Sequence, residues 1–359
     1  MNRPPTIPAP PSDHPPRENP WLHRFAVVLA CLTLFLIVAG GMVTSTGSGL
    51  SVPDWPNTYG RNMFTFPISQ WVGGIFYEHG HRLIASTVGF LTIVLAVWLQ
   101  WVEPRRWLRR LGWIALLTVI CQGVLGGLTV LYLLPTPVSV FHACLAQTFF
   151  CIVISIAVFT SLGWKHRTTR SPNVDHRLVR RMCIATVIVV SVQLLLGALM
   201  RHTESGLAVP DFPLAYGQWV PDLGAGAIES YNQDRAFLYQ LPPVSAQQII
   251  FHMVHRAGAV LVTILILTTA TILLRRHSET PVLRSPARMV IVLLLVQIGL
   301  GAWTVWSGRT ATIATAHVAV GAATLGICWL LTIRVFSLLP IPMRDSAVPA
   351  TTALTGVTA

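Results

Sequence analysis

Glu78-His79-Gly80-His81-Arg82 places ionisable side chains at the head of an apolar run, and the pattern returns 174 residues later as His252-Met253-Val254-His255-Arg256. Each copy is followed by one more histidine inside an apolar run: His142 lies 61 residues after His81, and His317 lies 62 after His255. Ionisable groups inside a bilayer cost free energy and mark ligand, ion or proton sites. A single such histidine reads as a hydrogen-bonded packing residue; four in repeat-equivalent places, as two matched pairs, read as ligands.

Composition sets the class. Of 359 residues 53% are apolar and 11% charged, with mean hydropathy +0.62, whereas soluble domains carry about 25% charged residues. This is the profile of an integral membrane protein. Apolar runs long enough to cross about 30 Å of hydrocarbon occur near 24–44, 81–101, 111–132, 139–162, 182–200, 248–274, 287–306 and 314–337. Nineteen of the 25 Lys and Arg fall on one side of these eight spans, so the positive-inside rule puts both termini in the cytoplasm. The basic pI, near 10.3, is explained by those anchoring arginines and calls for no nucleic acid. Cys31, Cys121, Cys144, Cys151, Cys183 and Cys328 fall in or beside the spans and imply no disulfide framework.

The first span ends in Ser48-Gly49-Leu50-Ser51-Val52-Pro53-Asp54-Trp55-Pro56, with Tyr59-Gly60 following; the fifth ends in Ser205-Gly206-Leu207-Ala208-Val209-Pro210-Asp211-Phe212-Pro213, then Tyr216-Gly217. Gln122 and Gly126 recur as Gln297 and Gly301. These are internal repeats. Four spans per copy is an even number, so both copies run the same way through the membrane. The expected fold is all-α: eight transmembrane helices as two parallel four-helix-bundle repeats with pseudo-twofold symmetry. The expected division is a disordered, Pro-rich cytoplasmic tail over 1–22, the first repeat over 23–164, a basic cytoplasmic linker over 165–181, the second repeat over 182–338 and a disordered tail over 339–359. The loop from about 208 to 246, carrying Asp222, Glu229, Asp234 and Arg235, reads equally as a lid or a solvated insertion.

The four histidines enter their helices one to two turns from the outer end, at about 5.4 Å per turn, and so share one level. A planar metal macrocycle with an imidazole on each face fits this arrangement, as in bis-histidine heme ligation. Small residues, Gly40, Gly41, Gly73, Gly74, Gly123, Gly126 and Gly127, let backbones or a flat ligand approach. Arg82 and Arg256, each one step after a histidine, are candidates for pairing with propionates. Glu78 lies on the face of His81, and its counterpart is His252; a carboxylate beside a macrocycle can accept protons or stabilise positive charge. That asymmetry points to one reactive site and one electron-transfer site. His79 reads as interfacial, and His202 receives no role.

Together these motifs resemble the heme A synthase family over about residues 24–335. The resemblance implies a heme-dependent oxidoreductase that converts the C8 methyl of heme O to a formyl group, by successive hydroxylations, giving heme A for terminal oxidases. It further implies that His255 and His317 ligate heme b (iron protoporphyrin IX), that His81 and His142 flank the substrate heme O in the first half, and that Glu78 is catalytic. The family context adds a bacterial inner (plasma) membrane with the heme sites toward the periplasm. It also adds heme O synthase (a farnesyltransferase) and an electron-transfer protein as partners, with homo-oligomers compatible. The outer-loop cysteine pair of some members is absent here. An alternative is a diheme cytochrome-b-like carrier or quinone oxidoreductase, in which both hemes are permanent; a two-repeat transporter would leave the histidines unexplained.

Overall fold

The computed structural model describes residues 19–165, 176–277 and 279–339. Ten α-helices follow in order: α1 Pro20–Ser45, α2 Gly74–Val102, α3 Arg106–Leu131, α4 Thr136–Thr160, α5 Leu162–Lys165, α6 Arg177–His202, α7 Ala225–Asp234, α8 Ala246–Arg276, α9 Pro281–Trp306 and α10 Ala311–Leu338. Eight of them, all but α5 and α7, are long and apolar enough to span a membrane. Residues 1–18, 166–175 and 340–359, which hold most of the expected tails and linker, lie outside the described residues.

All eight spanning helices start two to seven residues before their apolar runs, and two of these starts have a clear local cause. α1 begins at Pro20, inside the expected tail, because Asn19 accepts the Leu22 N–H at 3.1 Å and proline suits a first helical position. α2 begins at Gly74, seven residues before the apolar run. Glu78, His79 and His81 lower the hydropathy of its first turns, yet Glu78 and His79 are buried, so hydropathy alone starts the helix too late. His81, His142, His255 and His317 consequently stand seven, six, nine and six residues after the first residues of α2, α4, α8 and α10, about 9–14 Å along their axes.

The packing circuit is the same in each half. α1 packs on α2 and α4, and α3 on α2 and α4; α6 packs on α8 and α10, and α9 on α8 and α10. The halves meet through α1 with α10, α4 with α6, and α4 with α10. Each half has its own apolar core. Leu29, Leu95, Leu99, Leu108 and Ile156 are fully buried in the first, and Ile266, Leu273, Leu283, Ala287 and Val335 in the second. Both cores lie toward the arginine-rich side of the bundle, away from the four histidines, so the tightest packing lies at the opposite end from the site. Pro286 shows how the helices compensate locally: it cannot donate to the Val282 carbonyl, and Arg334 Nη1 of α10 donates there instead, at 2.9 Å. Val28, Phe35, Phe90, Leu117, Ile188 and Leu295 project outward, the apolar exterior expected against lipid.

Candidate heme-binding site

Each of the four histidines lies against a glycine of a neighbouring helix. A Cβ at Gly40 would stand 3.0 Å from His81 Cε1, at Gly126 3.2 Å from His142, at Gly197 3.2 Å from His255 and at Gly301 3.1 Å from His317. Any larger residue would push the ring, so glycine here sets where the imidazoles stand. His81 and His142 lie within electrostatic reach of one another, as do His255 and His317, so the pairs read from spacing are also pairs in space. Nδ1 of His81, His142 and His317 is buried without a hydrogen-bond partner. Buried polar atoms left unpaired call for an explanation, and an imidazole pair facing a metal macrocycle supplies one. The residues present fit that group.

Above the histidines, the repeated loops close each half in the same way. Tyr59-Gly60 and Tyr216-Gly217 all take positive φ, from 50° to 75°, and make tight turns closed by the bridges Thr58 to Arg61 and Ala215 to Gln218. A tyrosine in this conformation needs support. Asp54 accepts the N–H groups of Tyr59 and Gly60 at 2.8 Å, and Asp211 those of Tyr216 and Gly217 at 2.8 and 3.0 Å. Burial raises the Asp54 carboxyl, but the Gly60 and Tyr59 donors and the nearby Arg82 charge outweigh it and hold it below its ordinary value.

Arg82 and Arg256 use their guanidinium groups on these loops. Arg82 donates to the carbonyls of Val52, Asp54 and Asn57 at 2.8, 2.7 and 3.0 Å and to Glu78 Oε1 at 2.6 Å. Arg256 donates to those of Asp211 and Leu214 at 2.6 and 2.8 Å, with Val209 at 3.4 Å. Where the sequence reading sets propionates, the hydrogen bonds observed run to main-chain carbonyls, since a loop with three inward carbonyls needs a donor in the same place. Glu78 is buried, and its Oε2 accepts Val52 N–H at 2.7 Å.

His79, His202 and the 208–246 loop each take a definite place in the structure. His79 is fully buried, with Nδ1 3.1 Å from Thr58 Oγ1 and its ring between Phe66 and Trp71, at 5.2 and 4.7 Å. It anchors the first loop. His202 lies at the seam between the halves, where its carbonyl accepts from Thr136 Oγ1 at 3.2 Å. The 208–246 segment has a small core of Val209, Ala215, Tyr231 and Val244 seated on Ile249 of α8, while more than half of its residues are exposed. Arg235, which its sequence context suggests is solvated, is buried and donates to the carbonyls of Leu207 and Pro242 at 2.7 and 2.9 Å. The expected glycines divide: Gly40 and Gly126 make room for histidines, Gly127 for the Trp55 ring and Gly41 for Thr315, while Gly123 meets nothing within 4 Å. The six cysteines are unpaired.

Fold and site together define an all-helical, multi-pass membrane protein with two intramembrane histidine pairs. The chain belongs to the cytochrome oxidase assembly protein family COX15-CtaA, whose model matches residues 23–329. It is similar to the heme A synthase of Halalkalibacterium halodurans, 27% identical over 307 residues that cover 82% of this chain and 92% of that one. It is also similar to the heme A synthases of Rhizorhabdus wittichii, 27% identical over 344 residues (87% and 92%), and Shewanella oneidensis, 26% identical over 331 residues (88% and 96%).

Proposed function

We infer that the protein is a heme A synthase, an oxidoreductase that converts the C8 methyl of heme O to the formyl of heme A. The observation that carries this reading, beside the family, is the set of four imidazoles, each held against a glycine on an adjacent helix. His255 and His317 would hold heme b, and His81 and His142 would hold heme O as substrate. The bound heme b supplies electron transfer. The two halves are then a pseudo-twofold pair, with the sites toward the periplasmic side and both termini in the cytoplasm. Heme O synthase and an electron-transfer protein are the partners this activity requires, one to deliver substrate and one to exchange electrons.

Glu78 is the acidic residue we assign to turnover. Among the described residues it is the one carboxylate inside a membrane-spanning helix, and it lies three residues from His81 on the same face. Oxidation of a methyl group releases protons, and a carboxylate held at a fixed place can take them. Arg82, bonded to Glu78 and to three loop carbonyls, orients that carboxylate and closes the first half from the loop side; Arg256 closes the second. Direct contacts of these arginines with propionates would need donors now bonded to the loops to be shared.

Extraction and identification of the bound tetrapyrroles tests the reading. Heme b with less than one equivalent of heme O or A is expected from the purified protein, and two fixed b hemes would support the diheme carrier in its place. His255→Ala and His317→Ala should each abolish the b-type spectrum, because each removes one of the two residues that would hold the heme. Normal heme b content in both variants would overturn the second-half assignment.

A further inference from the structure

Three of the four histidines have a glutamine amide at hand. Gln122 Nε2 donates to the His142 main-chain carbonyl at 2.9 Å, and Gln297 Nε2 lies 3.4 Å from His317 Nε2. Gln193 makes the fullest contact: its Nε2 donates to the His255 carbonyl at 2.9 Å and lies 3.1 Å from Nδ1 and 3.4 Å from Nε2 of the ring. His81 differs in having no glutamine amide among its hydrogen bonds, for the first-half counterpart of Gln193 is Leu36, which packs on the apolar core.

A second exchange makes room for that amide. A Cβ at Gly258 would overlap Gln193 Oε1, and the first-half counterpart of Gly258 is Ile84. The halves therefore differ at two complementary places, Leu36 with Ile84 against Gln193 with Gly258. Shape alone does not account for the change. Gln193 Oε1 is buried and unpartnered, which costs free energy that an apolar residue would avoid.

We propose that Gln193 is a positioning residue for His255, fixing the rotation of its imidazole so that the second half retains its heme, while His81, without such an amide, serves a site that exchanges its tetrapyrrole. This rests on the reading of the second half as the resident heme b site. Groups that touch a ligating imidazole from outside the metal fix its orientation. Gln193 Nε2 bridges the His255 carbonyl and the ring nitrogens, and so restrains where the ring stands.

The test uses the full-length purified protein and two variants. Gln193→Met keeps the volume and removes the amide; Gly258→Ala keeps the amide and displaces it. Transfer of heme b to excess apomyoglobin should be faster from both, by roughly 2- to 12-fold, the factor one net hydrogen bond is worth. The electron paramagnetic resonance g-values of the oxidised heme should also shift, which a purely structural change elsewhere would not cause. If the wild-type protein holds no b-type heme, the functional reading itself falls and this inference with it. If wild type holds heme b and both variants match its transfer rate and g-values, the positioning role alone is overturned, even where their unfolding temperature drops.

Discussion

Glu78 and His252 stand at the same step of the repeat and accept the same hydrogen bond. Val52 N–H donates to Glu78 Oε2 at 2.7 Å, and Val209 N–H donates to His252 Nδ1 at 3.2 Å. Both side chains are buried, so both are latches between a helix and the loop above it. What distinguishes them is the ion pair, 2.6 Å, between Glu78 and Arg82.

Glu78→Gln separates latch from chemistry. The amide keeps an oxygen for Val52 N–H but carries no charge and accepts no proton. Heme b content should stay normal while heme A yield falls by about 100-fold or more, in the range that loss of a general acid or base produces, and heme O accumulates. His252→Ala leaves the Val209 N–H unpaired and should lower stability by about 1–3 kcal/mol with heme A still formed. Equal loss of heme A from the two variants would mean that both residues only latch.

The glycine clearances predict a position-specific effect on α9. Gly301→Leu should displace the His317 ring and lower heme b content, at a cost of about 1–3 kcal/mol for overpacking. Gly299→Ala, two residues away where nothing lies within 4 Å, should leave content and unfolding temperature unchanged. Similar heme loss from both would show that helix composition, not ring placement, is responsible.

Acid should loosen the first loop at a definable pH. Asp54 has a folded-state value below its ordinary 3.8, so its stabilisation is complete above that value and is lost as pH falls through the lowered one. Amide exchange at Tyr59 and Gly60 should accelerate only below pH 3.8, and Asp54→Asn should flatten the dependence. Acceleration already complete by pH 5 would show that another group governs the loop.

Topology follows from charge. Cysteines introduced near residues 61 and 219 should react with an impermeant thiol reagent from the periplasmic side, and cysteines near 105 and 276 should not. The reverse labelling would invert the placement of both sites.

The sequence by itself determined the class, the eight spans, the repeat and the four histidines, because burial in lipid demands long apolar runs and ionisable residues stand out against them. It also showed that Glu78 breaks the repeat. Only the tertiary structure decided what surrounds these residues. In the chain Arg82 and Arg256 look like propionate partners and Arg235 like a solvated cation, yet their donors meet carbonyls of segments 7 to 47 residues away. His79 looks interfacial until Thr58, Phe66 and Trp71 close over it. Gln193 and Gly258 carry no motif, and their relation appears only when α6 packs on α8. Hydropathy and spacing report how a side chain relates to solvent and to its own helix; which donor meets which acceptor is settled by contacts between segments, and no local pattern encodes it.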